Sequence, residues 1–208
     1  MTQIVKADQL NDETIAKIAA AVKGCKIIVF PTDTVYGIGS TGLVKAAARR
    51  IYQIKERPSI KPLPTFVHSL EAAKKWVEWT PLADALAKRF WPGKLTLVLK
   101  HTREGELLTF PEYRTIAIRV PDNAIVLKLI EASGVPWVQT SANRSGQPSL
   151  VDGAEAARTF DGVADWIIDA GKAPGTESTI VDATGDKPIV LREGAIKASE
   201  ILSAGVPS

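Results

Sequence analysis

Hydroxyls, amides and cations recur at the ends of apolar runs in this chain, the combination an anion-binding site needs. Thr140-Ser141-Ala142-Asn143 follows the apolar run Val135-Pro136-Trp137-Val138 and precedes Gly146 and Pro148. Open α/β sheets place their ligands beyond strand ends. Hydroxyls, an amide and a glycine turn there offer donors to phosphate or carboxylate, although an ordinary solvated loop has the same composition. Pro31-Thr32-Asp33-Thr34-Val35-Tyr36-Gly37 repeats the arrangement after the apolar run Cys25–Phe30, and reads either as a small-substrate site or as a Ser/Thr turn. Lys55, Arg57 and Lys61 surround Pro58. Cations in a loop suit a polyphosphate, Arg as a bidentate clamp and Lys as a mobile charge. Most of the neighbouring cations, Lys45, Arg49 and Arg50 among them, read as a solvated helix face. Arg119 lies inside Ile116-Ala117-Ile118-Arg119-Val120, and a charge in so apolar a strand must meet an anion, either a protein carboxylate or a ligand. Glu177-Ser178-Thr179 and Arg192 form a late cluster of the same kind.

The rest of the inventory narrows the chemistry. His68 and His101 are the only histidines, which argues against a Ser-His-Asp triad or a histidine zinc site. The single cysteine, Cys25, excludes an intramolecular disulfide and reads as a buried small hydrophobe. Gly37, Gly39 and Gly42 spell G-x-G-x-x-G. The dinucleotide reading fails because Pro31 to Tyr36 intervene after the strand and Glu56 ends a helix rather than a second strand. Positioning and charge neutralisation remain, the pattern of phosphoryl and nucleotidyl transfer.

These residues need a scaffold, and the patterning supplies one. The chain has 208 residues, 45% hydrophobic and 24% charged, with a net charge of +3. That is enough to bury a full core and is ordinary for a globular protein. Met1 to Asn11 lacks a signal-peptide pattern, and no apolar run approaches a membrane span, so a cytoplasmic enzyme or binding protein is expected. Helices are predicted from Asn11 to Gly24, over Val44–Lys55, from Ser69 through Trp76, from Thr80-Pro81 to Phe90, over Asn123–Ser133 and over Asp152–Phe160. Strands are predicted at Cys25–Phe30, Thr65–Val67, Lys94–Lys100, Thr115–Val120, Val135–Val138 and Trp166–Ile168. A late β pair, Thr179–Val181 with Ile189–Leu191, completes the set. Pro31 to Gly42 is expected to be a polar, glycine-rich loop. The class is α/β, a twisted mixed β-sheet with flanking helices, read as one domain over 1–208.

In order along the chain, these clusters resemble the YrdC-like family of threonylcarbamoyl-AMP synthases. The matches are Pro31–Gly37, Lys55-x-Arg57-Pro58 with Lys61-Pro62-Leu63, Trp91-Pro92-Gly93 with Leu95-Thr96-Leu97, Arg119-Val120-Pro121, Ser141-Ala142-Asn143 with Ser145-Gly146, Ser178-Thr179-Ile180-Val181-Asp182, and Leu191-Arg192 with Gly194. The resemblance implies the YrdC-like fold with a concave, positively charged site. It implies that L-threonine, bicarbonate or CO2, and ATP give threonylcarbamoyl-AMP and pyrophosphate, with Mg²⁺ held mainly by the ATP phosphates. A separate tRNA threonylcarbamoyl transferase complex then uses the product. Carried over, Thr34, Arg119 and Ser178 hold threonine. Arg57, Lys61, Thr115, Ser141, Ser149 and Arg192 bind ATP, and Lys55, Arg57, Ser141 and Asn143 form the family's basic and polar tetrad. Phe66 replaces a histidine found in some longer members, with His68 out of register, and Gln139 replaces a threonine-site hydroxyl. The chain resembles the short, single-domain members. Two other readings compete: a double-stranded RNA or tRNA binder using Lys45, Arg49 and Arg50 on phosphates, and a related carbamoyl-adenylate enzyme with another acceptor.

Overall fold

A computed structural model describes residues 1–56 and 62–204. Among these residues ten strands form one mixed sheet: β1 (Gln3–Lys6), β2 (Ile28–Phe30), β3 (Gly37–Thr41), β4 (Thr65–Phe66), β5 (Leu95–Lys100), β6 (Thr115–Arg119), β7 (Trp137–Ser141), β8 (Trp166–Asp169), β9 (Thr179–Asp182) and β10 (Ile189–Arg192), in the spatial order β1-β8-β2-β3-β7-β4-β6-β5-β9-β10. Among the described residues seven α-helices flank it: α1 (Asp12–Lys23), α2 (Lys45–Ile54), α3 (Leu70–Lys74), α4 (Pro81–Phe90), α5 (Ala124–Ser133), α6 (Gly153–Phe160) and α7 (Ala198–Ala204).

The helix ends follow local chemistry. Asn11, Ser69, Thr80, Asn123 and Asp152 each accept a hydrogen bond from a backbone N–H of the first turn, and Gly134 closes α5 in the left-handed conformation at φ 65°. α1 differs at its far end. The left-handed residue is Cys25, at φ 66°, rather than Gly24. Lys26 N–H reaches back to the Ala21 carbonyl, closing a six-to-one turn. Cys25 is therefore a half-buried turn residue, and the strand begins only at Ile28.

Two further expectations are corrected. The stretch Pro31 to Gly42 is not all loop, because Gly37–Thr41 is a buried strand that pairs antiparallel with both β2 and β7. Glycines read locally as a turn, yet here they make room. A Cβ on Gly39 would sit 2.8 Å from the Val138 carbonyl and 3.1 Å from the Phe30 ring. The seventh strand also runs later than expected, so Thr140 and Ser141 are its last residues rather than a loop beyond it.

Helix coverage decides where the site can be. Ile28 and Phe30 of β2 pack with residues of α1 and α5, while Val29 packs with residues of α2 and α6, so this part of the sheet is covered on both faces. Farther along, Leu97, Ile116, Ile118 and Val181 pack with Leu82 and Leu86 of α4 and Ile201 of α7. Side chains alternate across a strand, so Val98, Thr115, Ala117, Arg119 and Ile180 point the other way. They line a cavity there.

Candidate functional site

The cavity has a volume of about 400 Å³, and segments distant in sequence build it. Thr32, Thr34 and Tyr36 come from the β2–β3 connection, Pro62 and Pro64 from the approach to β4, Phe66 from β4 itself, and Gln139, Thr140 and Ser141 from the end of β7. Glu177 and Ser178 precede β9, while Leu191 and Arg192 end β10. Hydroxyls thus face one another across walls made by Val98, Ala117, Ile180 and Leu191.

Arg119 lies at the buried side, with a side chain only 3% exposed. Its charge meets a protein carboxylate: Nη2 donates to Asp33 Oδ1 at 2.5 Å. Nε donates to the Gly93 carbonyl at 2.7 Å, and Nη1 lies 3.4 Å from Thr34 Oγ1. The Trp91-Pro92-Gly93 motif therefore delivers a carbonyl that orients the guanidinium. Burial pushes the Arg119 pKa down and Asp33 opposes that shift. A guanidinium has five N–H donors, so these three contacts leave two uncommitted on a side chain that lines the cavity. The face of the Phe66 ring lies 5.4 Å from the guanidinium carbon, which gives Phe66 a positioning contact in place of any histidine chemistry.

The hydroxyls nearby are braced as well. Thr34 Oγ1 lies 2.8 Å from Thr32 Oγ1, which donates to the Val35 carbonyl and accepts from Thr34 N–H. The Ser/Thr turn and the cavity wall are the same structure, so the two readings of this segment do not compete. Ser178 Oγ lies 3.0 Å from Thr96 Oγ1.

Lys55, just beyond α2, is 3% exposed. Its ammonium donates to the Ser141 carbonyl at 2.5 Å and to Asn143 Oδ1 at 2.7 Å, with Ser141 Oγ at 3.4 Å and Thr140 Oγ1 at 3.5 Å. Ser141 Oγ donates to Asn143 Oδ1 at 2.8 Å. Three of the four tetrad residues thus converge, although 86 and 88 positions separate Lys55 from its partners. Arg57 and Lys61 lie outside the described residues. Thr115 lines the cavity. Ser149 Oγ donates to Glu177 Oε1 at 2.7 Å, and Arg192 Nη1 pairs with Glu177 Oε2 at 2.5 Å.

Of the cations expected on a solvated face, two are committed. The Lys45 ammonium donates to the Glu106, Leu107 and Thr109 carbonyls, and burial lowers its pKa. Arg50 pairs with Asp165 at 2.9 Å, and Arg49 remains exposed. A phosphate-binding stripe along α2 loses two of its three contacts. Sequence reasoning read the Asp33 carboxylate as part of a small-substrate site and Gly93 only as part of a motif, and did not foresee that both hold Arg119. The signal for Asp33 was a lone acid at one strand end and a lone cation in another strand.

A model of Sua5, YciO and YrdC proteins, described as "Telomere recombination", matches residues 20–194. The chain belongs to the Sua5/YciO/YrdC family. Among its relatives is the threonylcarbamoyl-AMP synthase of Pyrococcus abyssi (strain GE5 / Orsay), 39% identical over 204 residues, or 97% of this chain and 60% of the relative. The threonylcarbamoyl-AMP synthase of Bacillus subtilis (strain 168) is 38% identical over 195 residues, or 92% of this chain and 56% of that protein. The crystal structure of P. abyssi Sua5 complexed with L-threonine superimposes with a TM-score of 0.89 at 37% identity, covering 98% of this chain and 60% of that one. This Sua5/YciO/YrdC chain thus spans between half and two thirds of these relatives' length, and has their twisted mixed sheet.

Proposed function

We propose that this chain is an L-threonylcarbamoyladenylate synthase. In this reading it converts L-threonine, bicarbonate or CO2 and MgATP into threonylcarbamoyl-AMP and pyrophosphate, for N6-threonylcarbamoyladenosine modification of tRNA. The observation that carries the reading is the buried Arg119, which keeps two uncommitted donors and lines the cavity with Thr34 and Ser178. A guanidinium there suits an amino-acid carboxylate. It is supported by the threonylcarbamoyl-AMP synthases among the relatives and by the L-threonine in the P. abyssi Sua5 complex.

Threonine docks its carboxylate on Arg119 and its polar groups on the Thr34 and Ser178 hydroxyls. Its neutral amine forms the N–C bond to CO2 and loses a proton, giving a carbamate. The apolar walls keep bulk water from the carbamate. A carbamate oxygen then attacks the α-phosphorus of ATP, and the bond to the β-phosphate oxygen breaks as pyrophosphate leaves. Lys55, fixed by Ser141 and Asn143, and Arg57 neutralise charge at the reacting phosphate, while Lys61, Thr115, Ser149 and Arg192 hold the nucleotide.

The described residues do not fit a resident metal. No three His, Cys, Asp or Glu side chains group together among them, and the nearby carboxylates are paired, Asp33 with Arg119 and Glu177 with Arg192. Magnesium enters this reading only with the MgATP substrate. The chain works as a single YrdC-like domain in the cytoplasm and passes its product to a tRNA threonylcarbamoyl transferase complex. Among the described residues no helix is long and apolar enough to cross a membrane.

The test is incubation of the purified chain with MgATP, bicarbonate and threonine, with pyrophosphate measured and the adenylate mass sought. Release that needs both threonine and bicarbonate is the expected result. Nucleotide binding without threonine-dependent release would favour another acceptor. Salt-sensitive RNA binding without nucleotide binding would favour the RNA reading.

A further inference from the structure

Glu177 makes contacts that the reaction above does not use. Its Oε1 accepts from Ser149 Oγ at 2.7 Å and its Oε2 pairs with Arg192 Nη1 at 2.5 Å. One carboxylate thus holds a hydroxyl and a guanidinium that the proposed nucleotide site would present to phosphate oxygens. We propose that Glu177 is a displaceable anionic gate, a specificity-determining residue that a nucleotide polyphosphate must push aside to reach Arg192 and Ser149. The inference rests on the synthase reading for the roles of Ser149 and Arg192.

Three observations favour a gate over a brace. Arg192 does not need Glu177 to stay in place, because Nε and Nη2 donate to the Ser178 carbonyl at 3.2 and 2.7 Å, and Nη2 lies 3.3 Å from Ser178 Oγ. The Glu177 backbone is pinned while its side chain is not enclosed. Ala195 N–H donates to the Glu177 carbonyl at 2.9 Å, and a Cβ on Gly194 would stand 2.3 Å from that oxygen, so the two segments lie back to back. The side chains of Glu177 and Arg192 are 39% and 42% exposed, respectively. A pair so open to water is held weakly and can be parted by a ligand. Glu177 also lines the cavity itself, so its negative charge faces an incoming triphosphate. The charge penalty rises with the number of phosphates, and only a polyanion that takes both donors repays it.

The test measures binding of MgATP, and separately of inorganic tripolyphosphate, to the unmodified chain and to Glu177→Gln by titration calorimetry at low and high salt. Glutamine keeps the size and an acceptor for Ser149 while removing the charge. At low salt the variant is expected to bind both probes about two- to fivefold more tightly, the range of an exposed ion pair, with the gain shrinking at high salt. Threonine affinity stays unchanged. Glu177→Ala, checked for folding by its thermal melt, is expected to shift affinity the same way. Unchanged or weaker polyphosphate binding in a folded variant overturns the gate, and leaves the synthase reading standing if the unmodified chain still binds MgATP. If neither chain binds MgATP or tripolyphosphate, the nucleotide site and the gate fall together.

Discussion

Asp33 and Arg119 concentrate the energetics of the site in one pair. Both side chains are buried, and Asp33 Oδ2 has no hydrogen-bond partner among the described residues. Removing one member of such a pair strands the other charge in a low-dielectric interior, which typically costs about 3–5 kcal/mol. Asp33→Asn should therefore lower unfolding free energy in urea by roughly that amount and weaken threonine binding through loss of Arg119 orientation. The double variant Asp33→Asn with Arg119→Met should recover much of the stability but no threonine affinity, because both charges are gone. Additive losses would show that the two residues do not act as a unit. Tyr36 acts at the same scale on the scaffold. Its hydroxyl donates to the Gly171 carbonyl at 2.8 Å and accepts from Ala170 N–H at 3.0 Å, tying the start of β3 to the end of β8.

Among the elements, β3 has the most demanding steric requirement. It sits between β2 and β7, and its glycines let the Phe30 ring lie against the sheet, where Phe30 also meets Trp137 edge-on at 5.4 Å. Gly39→Ala would press a methyl on the Val138 carbonyl and should destabilise by about 1–3 kcal/mol, read as a lower denaturation midpoint. Because Val138 precedes Gln139, Thr140 and Ser141, the same change should weaken nucleotide or threonine binding more than a distant substitution of equal thermodynamic cost. Helix α2 shows a second device. Lys45 near its start closes off the carbonyls of Glu106, Leu107 and Thr109, while Lys55 just past its end donates to the Ser141 carbonyl and Asn143 Oδ1. One helix thus carries at its two ends cations that are both committed to partners on distant segments.

At the scale of the whole molecule, strands from both ends of the chain meet at one cavity. Thr34 lies 85 residues from Arg119, and Thr96 lies 82 residues from Ser178. A ligand that contacts all these segments binds only the folded state. Threonine with MgATP at about 100 times their dissociation constants should add roughly 2.7 kcal/mol per site. For a chain of this size each kcal/mol is worth about 2–4 °C in melting temperature. At those concentrations threonine alone and MgATP alone should raise the melt by similar amounts, and both together by about twice as much; no shift with any combination would count against the synthase reading.

The residues themselves determined much of this. Helix caps at Asn11, Ser69, Thr80, Asn123 and Asp152 are contacts over three residues, so local sequence carries them. The alternation in β6 placed Arg119 opposite the core-facing Ile116 and Ile118, because strand periodicity is a local property. The polar clusters were visible too, as were the motifs that mark the family. Only tertiary structure decided what each cluster meets. That Asp33 is the partner of Arg119, that Gly37–Thr41 is a strand, that Lys45 caps carbonyls while Lys55 joins Ser141 and Asn143, and that Glu177 bridges Ser149 and Arg192 all depend on cross-sheet neighbours. Such neighbours are set by strand order and helix coverage, and no local pattern encodes an ion pair between residues 86 positions apart.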